Sequence, residues 1–93
     1  MAKLPRRVLR EHLFEDELGA LRLGGPRQAD EFVEAAEFSL ARDPEIGLQI
    51  STGSSVWALP MSPVQGEQVT LYYTFDETSV RLLSIERART GRS

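Results

Sequence analysis

The apolar residues change their spacing once along the chain, and the change falls at Gly47. Before it, Leu13, Phe14, Leu18 and Leu21, then Ala29, Phe32, Val33, Ala36 and Leu40, recur at three- and four-residue intervals. That is the period of helices with one buried face. After it, Val69, Leu71, Tyr73 and Phe75 alternate with Gln68, Thr70, Tyr72 and Thr74, the period of a strand with one buried face. A chain of 93 residues divided in this way has room for one core. Helices followed by strands predict an α+β domain, an N-terminal helical hairpin packed on one face of a small, mostly antiparallel sheet. We take residues 1–88 as that single domain and 89–93 as a flexible basic tail.

Breakers set the boundaries. Gly24-Gly25 stops the first helix, and Pro26 suits the first turn of the next. Asp30, Glu31, Glu34 and Glu37 fall opposite the apolar stripe and read as a solvated face. Asp43-Pro44 ends the second helix, because the residue before proline is pushed out of helical geometry. A short strand is expected within 48–61, interrupted at Thr52-Gly53-Ser54-Ser55 and resumed at Val56-Trp57-Ala58-Leu59. Pro60 and Pro63 cannot donate to a ladder and mark either a sheet edge or the strand end. Gln65-Gly66 reads as part of a hairpin loop and Asp76-Glu77-Thr78 as a short turn. In 79–85 the alternation puts Val80 and Leu82 on one face and Leu83 and Ile85 on the other, so this strand is expected to be more central. Leu4, Val8 and Leu9 among arginines leave residues 5–11 open between an edge strand and a helix start.

The net charge is only −3, but it is segregated. Lys3, Arg6, Arg7 and Arg10 open the chain without an acid; Arg81, Arg87, Arg89 and Arg92 close it against Glu86 alone. Between Glu11 and Val80 the only bases are Arg22, Arg27 and Arg42. A uniformly basic nucleic-acid binder is excluded and a local basic patch is not. With no cysteine there is no disulfide or thiolate chemistry, and with His12 the only histidine there is no multi-histidine metal site. No apolar run approaches the roughly 18 residues that span a bilayer. The basic start is not followed by an apolar stretch, so it does not read as a signal peptide. The expectation is a cytoplasmic protein with no membrane partner and no cofactor, in which a domain this small gains from a stabilising partner.

The residues at the joints are more specific than the element order. Phe14-Glu15-Asp16-Glu17-Leu18 opens the first helix. Leu40, Pro44 and Gly47 close the second in a leucine-x-x-x-proline-x-x-glycine pattern. Leu71 to Ile85 forms a tyrosine-bearing strand, an acidic turn and an aliphatic strand. Over roughly residues 10–88 the chain resembles the RelE/ParE superfamily of toxins from type II toxin–antitoxin systems, a class tied to plasmid stabilisation. The resemblance implies a compact toxin neutralised by a cognate antitoxin, with the first strand in the same sheet as the last. It implies one of two activities: messenger RNA cleavage on the ribosome, or inhibition of DNA gyrase without nuclease action. A shared fold does not choose between them.

A metal-independent endoribonuclease needs a group to activate the 2′-hydroxyl, an acid for the leaving oxygen and cations for the phosphate. RelE-like nucleases place lysines and arginines on the second and third strands, and this chain has neither between Arg42 and Arg81. What remains is Arg81 and Arg87 for phosphate and Tyr72 or Tyr73 for proton transfer. The plainer alternative is a solvated Arg81 and a core Tyr73. A phenol with an ordinary pKa of about 10 is a poor base. His12 is the one candidate general base of its residue type, but it lacks an identifiable partner beyond Glu11 and Glu15 and reads as a surface histidine. Trp57 either packs under the hairpin or anchors a contact with an antitoxin or a second copy. The sequence therefore favours a toxin-like binding protein, ParE-like or catalytically degenerate. The alternatives are a ribosome-dependent RNase and a non-toxin homodimeric module joined through Trp57 and the strand edge 54–61.

Overall fold

The structure, a computed structural model, describes residues 5–24, 26–64 and 67–89, with the side chains of 21–29, 62–67 and 87–93 outside that description. In chain order the elements are β1 (Arg7–Arg10), α1 (His12–Gly24), α2 (Pro26–Arg42), a 3-10 turn (Pro44–Ile46), β2 (Leu48–Gln49), β3 (Trp57–Val64), β4 (Glu67–Phe75) and β5 (Ser79–Arg89). The described residues form an α+β fold of two α-helices and one five-stranded mixed sheet, ordered β1-β5-β4-β3-β2. β1 runs parallel to β5, and the other neighbours are antiparallel. The open question over residues 5–11 thus resolves as a strand, placed beside the last one. The expected loop at Gln65-Gly66 lies outside the described residues, as does the expected tail beyond Arg89, which itself ends β5.

The core forms on one face of the sheet. Val69, Leu71 and Tyr73 from β4 and Val80, Leu82 and Ile85 from β5 meet Phe14 and Leu18 of α1 and Val33, Ala36 and Leu40 of α2. Leu13 was expected on this buried face but is 55% exposed. One residue back from Phe14 lies about 100° round the helix, outside the stripe that Phe14 and Leu18 define. Glu37, expected in solvent, receives a bidentate pair from Arg10, Nε to Oε2 at 2.7 Å and Nη2 to Oε1 at 3.2 Å. Arg10 also lies over the Phe14 ring, so one arginine ties β1 to both helices. This fork geometry is the stronger kind of ion pair.

Two strand details depart from simple alternation. Tyr72 pairs with Ser84 but Tyr73 with Leu82, which makes Leu83 an extra residue on β5. That bulge shifts the phase by one and brings Ile85 into the core with Val80 and Leu82. Ile85 therefore does not share Leu83's face, as alternation placed it. Beyond Leu82 the strand no longer has β1 beside it. There Glu17 of α1 takes over, its Oε1 accepting from the Ile85 N–H at 3.0 Å and from Ser84 Oγ at 2.9 Å.

β3 does not stop at its prolines. Its even-numbered residues turn their peptide groups towards β2, as the Ile50 N–H donating to the Val56 carbonyl at 3.1 Å shows. The absent N–H of Pro60 thus faces an edge that two-residue β2 does not reach. Pro63 falls where the register shifts between Met61 and Val64, and the Gln68 amide donates to the Met61 carbonyl at 2.6 Å. The two readings divide between the prolines: Pro60 lies on the sheet edge, and Pro63 lies one residue before β3 ends at Val64.

The joint between helices and sheet is built on one phenol. Tyr73 is fully buried, and its hydroxyl donates to the Pro44 carbonyl at 2.5 Å while accepting from the Gly47 N–H at 3.2 Å. A Cβ at Gly47 would stand 2.5 Å from that hydroxyl and 2.6 Å from the Ala58 carbonyl oxygen. Position 47 therefore excludes a side chain by close approach. Pro44 and Gly47 of the Leu40–Pro44–Gly47 pattern thus supply the two partners of the phenol, and Leu40 is buried in the core. The β4–β5 turn has its own lock: Asp76 Oδ1 accepts from the Thr78 and Ser79 N–H groups, each at 2.8 Å.

Tyr73→Phe leaves the Gly47 N–H and the Pro44 carbonyl without their partner, and is expected to cost about 1–3 kcal/mol. Gly47→Ala forces backbone apart and is expected to cost a similar amount, about 1–3 kcal/mol or more. In both, the urea midpoint falls with little change in slope. The bonds to Asp76 from the Thr78 and Ser79 backbone hold its carboxyl below the ordinary value of 3.8. A depressed folded pKa gives a contribution that is full above the unfolded value and is lost as pH falls through the folded one. Carbon-detected titration should place the Asp76 midpoint below 3.8, and Asp76→Asn should abolish this step.

Candidate functional site

Alternation along β4 separates the two tyrosines. Tyr73 faces the helices inside the core, and Tyr72 faces the opposite side of the sheet. That open face also carries Arg7 and Leu9 of β1, Thr70 and Thr74 of β4 and Arg81 of β5, by their register. Arg81 stands opposite Thr74, so Tyr72 and Arg81 share a face two positions apart along the ladder. The Arg87 backbone pairs with Val69 near the far end of β5, and its side chain lies outside the described residues.

Each described candidate is already engaged. The Tyr72 hydroxyl donates to Glu86 Oε1 at 3.1 Å. That bond, with slight burial and the Glu86 charge, raises its pKa above the ordinary 10. The Tyr73 phenol is raised as well, chiefly by burial, the Gly47 N–H opposing and the charges of Asp43 and Glu45 adding. Both phenols are protonated at neutral pH, and neither serves as a general base there. Arg81 Nε lies 3.4 Å from Glu11 Oε2 across the β1–β5 edge, an exposed pair of small energy. His12 is 92% exposed and 3.4 Å from Asp16 one turn on, a helix-surface pair away from Tyr72. Among the described residues no group of three acids or histidines gathers to hold a metal, and no helix is long and apolar enough to cross a membrane.

Trp57 is half-buried at the rim of the core. Its ring lies 5.4 Å from Phe75 and 6.5 Å from Tyr73, centroid to centroid. It packs against the core and keeps an exposed part. Nearby, the chain from the 3-10 turn through β2 exposes Ile46, Leu48 and Ile50, by 44, 68 and 55%.

The sequence matches no family model, and no curated protein matches it significantly. The chemistry of the site therefore rests on its own geometry. Among the described residues, the open face carries one phenol hydrogen-bonded to a carboxylate and Arg81 set beside Glu11, with no activated base between them.

Three partners escaped the sequence reading: Glu86 for Tyr72, Glu11 for Arg81 and Glu17 for the β5 edge. Only the Tyr72–Glu86 pair had a legible signal, since both residues fall on the solvent face of neighbouring strands. Glu86→Gln is expected to bring the Tyr72 titration down towards 10, while Tyr73 stays raised. Ultraviolet titration of the phenolate band, with Tyr73→Phe to assign it, reads the change.

Proposed function

We propose that this chain is a toxin-like member of the RelE/ParE superfamily that works by binding protein, with a cognate antitoxin as its partner. On this reading it is ParE-like or catalytically degenerate, and its helices form a hairpin over one face of the sheet. The placement of β1 beside β5 supports the reading, as does the order of one strand, two helices and then four strands. The observation that carries binding over catalysis is the separation and engagement of the candidate groups. Tyr73 is sealed in the core, Tyr72 is held by Glu86, and Arg81 is paired with Glu11. A metal-independent RNase needs a base and several cations around one phosphate, and β2, β3 and β4 contribute no lysine or arginine.

A second reading, a homodimeric interaction module, is favoured by Leu48 and Ile50, exposed in and just after edge strand β2, whose Gln49 pairs with Trp57. Such an edge is a template for another chain, though two-residue β2 and Pro60 keep it short.

Expression without a partner is expected to arrest growth, and co-expression of a neighbouring antitoxin frame to relieve it. Purified protein is expected to leave messenger RNA intact on translating ribosomes. Robust cleavage that disappears in Arg81→Ala and Arg87→Ala would instead establish the RNase. Unimpaired growth with a soluble folded homodimer would establish the module.

A further inference from the structure

We propose that the cleft between the start of β1 and the end of α2 binds the carboxylate of an acidic peptide through Arg6 and Arg42. The cleft is about 140 Å³ and is lined by Arg6, Arg42, Asp43, Pro44, Glu45 and Phe75. It lies on the helix side of the sheet, away from Tyr72 and Arg81, and the proposal stands whether or not the toxin reading holds.

Both guanidinium groups are held without consuming their charge. Arg6 donates from Nε to the Asp76 carbonyl at 2.6 Å and lies over the Phe75 ring at 5.8 Å. Arg42 stacks on Phe38 at 3.8 Å and donates from Nη1 to the Phe38 carbonyl at 3.2 Å. Neither lies within ion-pair distance of a carboxylate among the described residues, although Asp43 and Glu45 line the same cleft. Arginines fixed by stacking and by one backbone bond keep their remaining N–H donors for an oxyanion, and less freedom is lost on binding.

Size and charge choose the ligand. A cleft of about 140 Å³ is well below the roughly 300–1,000 Å³ of pockets that enclose a whole small molecule. It takes one side chain. Asp43 and Glu45 balance the two arginines, and the C-terminal end of α2 adds negative potential. That setting penalises a doubly charged phosphate or a polyanion more than a single carboxylate. The acids also offer acceptors to the N–H groups of a peptide backbone, and the Phe75 ring offers apolar surface to the methylenes of a glutamate.

The test titrates the isotope-labelled full chain with capped glycyl-glutamyl-glycine at constant ionic strength, following the arginine Nε–H signals. Capped glycyl-glutaminyl-glycine and inorganic phosphate form the parallel arms. The expected result is a saturable shift of the Arg6 and Arg42 signals with the glutamyl peptide, none with the glutaminyl peptide and weaker binding of phosphate. Arg42→Gln, which gives up the stacking on exposed Phe38 and the bond to its carbonyl, is expected to weaken binding about tenfold. Arg6→Gln is expected to do the same, and Arg7→Gln, on the other face of the sheet, to leave it unchanged. No saturable shift, an equal response to the glutaminyl peptide, tighter binding of phosphate, or full binding by Arg42→Gln would each overturn the proposal.

Discussion

A buried hydroxyl must find partners or destabilise what surrounds it. In this fold the Tyr73 hydroxyl finds both of its partners in the few residues that carry the chain from helix to sheet. The 3-10 turn is held by its Pro44 carbonyl, the approach of β2 by the Gly47 N–H, and the distance between β4 and that segment by the absence of a side chain at Gly47. Core packing alone would bring α2 near the sheet without fixing where the chain leaves it. The phenol supplies the direction. The same commitment removes Tyr73 from any chemistry at the surface, since its oxygen is enclosed and its proton assigned.

The parts of the fold set by local pattern were legible in the sequence. The α2 stripe, the stop at Asp43-Pro44 and the alternation of β4 depend on residues close in the chain, and they stand where the pattern puts them. Parts that depend on a distant partner were not. Val8 and Leu9 form a strand because β5 is beside them. Glu37 leaves solvent because Arg10 reaches it. Ile85 turns inward because one residue of β5 has no counterpart on β4, which no alternation count reveals. For the candidate site, the opposed faces of Tyr72 and Tyr73 followed from strand geometry, whereas Glu86, Glu11 and the Arg6–Arg42 cleft came from register and topology.

The segregation of charge along the chain also changes meaning in three dimensions. The basic start and the last strand do lie side by side, yet among the described side chains the arginines divide between two faces. Arg6 and Arg10 turn to the helix side and Arg7 to the open side, as alternation requires. Glu37, Glu11 and Glu15 meet Arg10 and Arg81 along the way. A cluster in sequence has become a set of separate contacts on two faces.

The parallel pairing of β1 with β5 has a consequence for how the molecule comes into being. Arg7–Arg10 align with Ser79, Val80, Arg81 and Leu82, so β1 has no strand partner until β5 has been made. At about 5–20 residues per second of synthesis, that wait is on the order of 4–16 seconds. The helices can form meanwhile from local contacts, whereas joining β1 to β5 closes the longest loop in the fold and bears its entropy cost. The sheet is thus completed at the edge made first, and during synthesis β1 is the segment longest without its place.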